Sequence, residues 1–130
     1  MLQTDIKQRT KDFAIRVIKV CKTLKKEEWI EVILGRQLLR SGTSAAANYR
    51  ATVIAKSEKD FINKLKIVEE ELDETIFWME ILVESGVIPK GKLTLLIKEA
   101  DELLRIISAS IITMKKKRKV NKAKGVLNSN

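Results

Sequence analysis

The stretch Gln37 to Ala51, QLLRSGTSAAANYRA, constrains the fold more than any other part of the chain, because it puts small and polar side chains where a core helix would carry leucine and isoleucine. Arg40, Ser41, Ser44, Ala45, Asn48 and Ala51 recur at helical spacing and share one face. A face without bulk lets a neighbouring backbone come close, and its polar members then need partners. Phe61 to Leu82 can supply them. There Phe61, Leu65, Val68, Leu72, Thr75, Met79 and Leu82 form an apolar seam spaced four and three, with Glu70, Glu71 and Glu74 within one turn of each other. The two helices are therefore expected to lock together, with Arg40, Ser44 and Asn48 forming a structural polar network with Glu71 and Glu74.

The remaining periodicity is also helical. Thr4 or Asp5 is the expected cap of a first helix carrying Ile6, Thr10, Phe13, Val17, Val20 or Cys21, and Leu24 on one face. Glu27 and Glu28 favour the start of a second helix, which reads through to Ala55. Gly42 inside it costs about 1 kcal/mol relative to alanine, so close approach of another helix is expected there. Ser57 with Asp60 reads as a capping box variant opening the third helix, and Gly86 as its left-handed C-cap after Glu84. After Pro89 a fourth helix carries Leu93, Leu96 or Ile97, Ala100, Leu103 or Leu104, Ile107, Ile111 and Met114. Its further apolar residues Leu95, Ile106 and Ile112 lie on other faces and predict a subunit interface. Beyond Lys119 the periodicity stops. The fold class expected is all-α, an antiparallel up-down-up-down four-helix bundle over 1–118 with a disordered, basic, flexible C-terminal tail over 119–130.

Composition narrows the chemistry. The chain has no histidine, so the usual general base, the Ser-His-Asp triads and the Glu-x-x-His iron sites of ferritin-like bundles are unavailable, and no enzymatic constellation, metal site or cofactor is expected. Glu69, Glu70, Glu71, Asp73 and Glu74 spread around their helix and do not converge on a cation. The Gly86 to Gly91 connection lacks the spacing of a phosphate loop. Cys21 has no partner for an internal disulfide and fits a buried, inert thiol; Phe77 and Trp78 fit core or interface packing, with Tyr49 less clearly inside. No apolar run approaches the ~20 residues of a membrane span and no secretory pattern opens the chain, so a cytoplasmic protein with no membrane partner is expected.

Charge is the feature with a distinct partner implication. Residues 1–66 hold fifteen basic and seven acidic groups, residues 67–114 four basic and ten acidic. The end of the chain adds Lys115, Lys116, Lys117, Arg118, Lys119, Lys122 and Lys124 without one acid, which is seven of the net nine positive charges. Such a tail neutralises phosphates and releases counterions, so these seven residues are the expected contacts to RNA or DNA. A solubilising tail on a protein-interaction scaffold is the competing reading.

The ordered pattern QLLRSGTSAAANYR, SEKDFINKL and ELDETIFW, with IISASIITMKK towards the end, resembles the bacterial 23S rRNA intervening sequence protein family, also called the S23 ribosomal protein family. The resemblance runs from about Phe13 to Met114 and implies an antiparallel four-helix bundle, often a homopentamer, encoded in insertions of the large ribosomal RNA gene of some bacteria. Related bundles accompany the reverse transcriptase of diversity-generating retroelements as basic pentamers that contact nucleic acid and the polymerase. The resemblance therefore implies a non-catalytic accessory factor that assembles with itself and binds RNA or DNA; the alternative is a scaffold for a protein such as a reverse transcriptase. No catalytic residue carries over. Val53 and Ile54 stand where family members have further basic residues, and the family proline between the first two helices is replaced near Lys25.

Overall fold

The computed structural model describes residues 2–128 of the chain, with side chains over 5–125. Four helices follow one another: α1 (Leu2–Cys21), α2 (Trp29–Thr52), α3 (Glu58–Glu84) and α4 (Lys90–Asn128). Each packs on its neighbours in sequence, and α4 closes back on α1. The described residues thus form an all-α, up-down-up-down four-helix bundle.

The starts and stops follow local chemistry. Ser57 Oγ accepts from the Asp60 N–H at 3.0 Å, while the Asp60 carboxylate accepts from the Lys56 N–H at 3.0 Å, one residue outside the reciprocal partner of a standard capping box. The Lys64 ammonium and the Lys56 N–H together hold the Asp60 carboxyl below its usual range. At the other end of α3, Gly86 has φ +78°. Its N–H reaches the Val83 carbonyl and the Val87 N–H reaches the Leu82 carbonyl, both at 3.0 Å, which is the paired pattern of a Schellman cap. Glu28 caps α2 by position only, but Glu31 accepts from the Lys25 N–H at 2.9 Å and fixes the α1–α2 turn.

Three boundaries differ from expectation. α1 begins at Leu2, ahead of Thr4 and Asp5, since no glycine or proline in that turn interrupts it. α2 stops at Thr52 and not at Ala55, because Val53, Ile54 and Ala55 turn back with N–H bonds three residues behind them. The tail, expected to be disordered from residue 119, continues α4 as helix to Asn128. Lysine, arginine and alanine are good helix formers, and α3 supports this stretch from the side, as the Asn121 amide donating to Glu58 at 2.7 Å shows.

The core contains the expected seams: Ile6, Phe13 and Val17 of α1; Leu65, Val68, Leu72, Met79 and Leu82 of α3; Leu93, Leu96, Ala100, Leu103, Ile107 and Ile111 of α4. Ile62 is buried where Phe61 was expected, and Phe61 packs at the edge. Tyr49 is inside, and burial raises its phenol pKa. Phe77 is 49% exposed, so it is a surface residue; its ring meets Trp78 edge-on at 4.9 Å. Cys21 is half-buried, its thiol pKa raised by burial and its Sγ 3.5 Å from the Gly35 carbonyl.

The small-residue face of α2 serves two neighbours. Ser41 and Ala45 are fully buried, and Thr75 Oγ1 of α3 donates to Ser41 Oγ at 2.9 Å. Gly42 faces α1 instead: a Cβ there would lie 3.0 Å from both methyl carbons of Val17. Thr75→Val keeps the shape of that contact and removes its hydroxyl, while Ser41 retains the Leu38 carbonyl at 3.3 Å as a partner. A loss of about 1 kcal/mol is expected in urea denaturation, with the helical content unchanged.

Candidate nucleic-acid interface

The polar network foreseen on α2 and α3 forms only in part. Arg40 bonds Glu71 at 3.3 Å and also Glu74, whose carboxylate accepts from the Trp78 indole N–H at 2.9 Å. Ser44 and Asn48 do not reach these carboxylates. The Asn48 amide donates to the Ser44 carbonyl at 2.9 Å and to its hydroxyl at 3.0 Å, so α2 satisfies both itself. The Arg40 side chain remains 49% exposed, and an exposed pair of this kind contributes about 0–1 kcal/mol. This network links α2 to α3 and offers no reactive group.

Three further acids are engaged in structure. Glu69 accepts from the Ser108 hydroxyl at 2.6 Å, and Glu99 with Glu102 holds Arg9 at 2.6 and 3.1 Å, which raises the guanidinium pKa further. Among the described residues no group of three or more histidines, cysteines, aspartates or glutamates could hold a metal ion. None of the described helices is long and apolar enough to cross a membrane.

The tail cations are not equivalent. Lys115, Arg118, Lys119 and Lys122 fall on one stripe of α4, spaced three and four, and that stripe faces the beginning of α3. Between the helices lies a cleft of about 350 Å3, lined by these four residues and by Lys59, Ile62, Asn63 and Lys66 of α3. Six cations surround it and no carboxylate does. Lys116, Lys117 and Lys124 are exposed and do not line it. Arg118 occupies the register in which Ile107, Ile111 and Met114 face the core, so the apolar seam of α4 passes into a charged one; Arg118 is half-buried while the other residues of 115–125 are exposed.

Lys59, Asn63 and Lys66 are the site residues that sequence reasoning missed. Their spacing of four and three places them on one face of α3, a signal present in the sequence. That this face meets the basic stripe of α4 is a tertiary fact. Six like charges in one cleft repel one another, and a polyanion that replaces their counterions relieves that repulsion. With no aromatic ring on its walls, the cleft offers contacts to phosphate and none for stacking bases.

Four antiparallel helices, with an Arg–Glu pair between the second and third and a basic seam extending the fourth, define the class of small all-α four-helix bundles. Residues 3–109 match the model of the 23S rRNA-intervening sequence protein family, and the chain belongs to that family. Its structure is similar to the crystal structure of a protein of unknown function from the S23 ribosomal protein family of Bacteroides thetaiotaomicron. The two are 33% identical with a TM-score of 0.79, over 85% of this chain and 98% of the other. No curated protein is similar enough to count as a match.

Proposed function

We propose that the protein is a non-catalytic, cytoplasmic accessory factor of bacteria that binds the phosphate backbone of RNA or DNA in the cleft between α3 and α4, as a homo-oligomer and on family grounds a pentamer. The observation that carries this reading is the convergence of Lys59, Lys66, Lys115, Arg118, Lys119 and Lys122 on one cleft with no carboxylate on its lining. The family name ties its members to ribosomal RNA, which makes RNA the first polymer to assay. Trp29, Ile30 and Ile33 of α2 and Phe77 of α3 are exposed and supply apolar surface for contacts between copies. The same surface favours the second reading, a scaffold that holds a protein partner such as a reverse transcriptase and leaves nucleic acid alone.

Salt separates the two. If all six cations meet phosphates, fluorescence anisotropy with a labelled duplex should give log K against log salt with a slope of about −5, at 0.9 per contact. Absence of binding at 50 mM salt, with a purified polymerase still captured, would transfer the function to the scaffold.

A further inference from the structure

The cations of α1 are of two kinds. Arg9 turns to α4 and is held by Glu99 and Glu102. Lys7 and Lys11, one helical turn apart, instead line an outer groove between α1 and α2, and Arg50 of α2 faces them. The groove encloses about 500 Å3; Gln8 completes its wall, and Ala46 and Ala47 are its α2 residues of least bulk. No carboxylate lines it, and Lys7, Lys11 and Arg50 are all exposed. Asp12, the acid nearest in sequence, accepts from the Gln8 amide at 2.8 Å and is not on the lining.

The order of the helices decides where this groove sits. α1 touches α2 and α4, α3 touches α2 and α4, and neither diagonal pair is in contact. A groove between α1 and α2 therefore opens on the face of the bundle opposite a cleft between α3 and α4. Both are cationic, both lack carboxylates, and the body of the bundle separates them.

We infer that the α1–α2 groove is a second phosphate-backbone site, so that one protomer holds two nucleic-acid segments on opposite faces and bridges them. The inference rests on the proposed function and extends it from binding to bridging. Short alanine side chains leave a sugar–phosphate chain room to lie between the helices, and the three cations reach it from both sides. Lacking an aromatic wall, this groove too takes phosphates without selecting bases.

The test compares the full-length protein with K7Q/K11Q/R50Q, three exposed substitutions of similar size whose folding is checked by circular dichroism. The number of 12-base-pair duplexes bound per protomer at saturation is counted in solution, because a homo-oligomer can capture a second duplex through the cleft of another protomer and only the count per protomer reports a second site. The natural protein is expected to bind two per protomer. The variant should keep its affinity for the first duplex within about threefold and saturate at half the count. Equal saturation by the two proteins overturns the second site while leaving the cleft standing. A natural protein that binds no duplex overturns the proposed function, and this inference with it.

Discussion

R118Q/K119Q/K122Q should bind a labelled duplex on the order of 30-fold more weakly than the natural protein at 100 mM salt, whereas K116Q/K117Q/K124Q should lose less than about threefold. Each triple removes three positive charges from the same stretch of α4, so net charge and long-range attraction fall equally. Only the first triple lies on the cleft. Three lost phosphate contacts should also flatten the salt slope by about 3, and the second triple should leave it nearly unchanged. Adding Lys59→Gln and Lys66→Gln removes two further cations from the opposite wall, and the quintuple variant should lose on the order of 1000-fold. Those two residues belong to a different helix from the tail. If the two triples weaken binding equally, the charge acts as a diffuse field and the cleft is not the site.

Gly42→Leu should destabilise the bundle by about 3 kcal/mol, measured as a lowered urea midpoint at unchanged slope. The Cβ of any side chain at this position would sit 3.0 Å from two carbons of Val17, and Val17 is fully buried. Alanine is the informative control. It needs Val17 to give by a few tenths of an ångström, and the helix gains about 1 kcal/mol by losing glycine, so Gly42→Ala should fall within about 1 kcal/mol of the natural protein. Leucine gains the same propensity and adds three carbons that the α1–α2 interface cannot hold. A leucine variant as stable as the alanine one would mean that α1 does not approach α2 as closely as described. Gly35 is a contrasting case, because a Cβ there would meet the end of the flexible Leu24 side chain, which can swing aside.

Much of the bundle is legible in the sequence. Ser57 and Asp60 announce the start of α3, Gly86 its end, and the spacing of Leu65, Val68, Leu72, Met79 and Leu82 its buried face. All are local or periodic signals, in which the residue that acts lies within a turn or two of its effect. The family motif added connectivity to this. Legibility failed where local signals run out: the stretch after Lys119 has no apolar stripe, so it read as disordered although α4 continues through it. The small polar face pairs Ser44 and Asn48 with carboxylates across the interface when read from sequence, but the structure gives them an intrahelical bond at i, i+4.

By itself, then, the sequence determined the helical class, the positions of the turns, the buried stripes and the excess of positive charge at the end of the chain, because periodicity and capping are written within a few residues. Only the tertiary structure decided that Gly42 faces Val17 while Ser41 faces Thr75, and that four of the seven tail cations join Lys59 and Lys66 while three point elsewhere. Those relations link residues far apart in the chain. They follow from the rotation and register of one packed helix on another, which many side chains fix jointly and no single segment encodes.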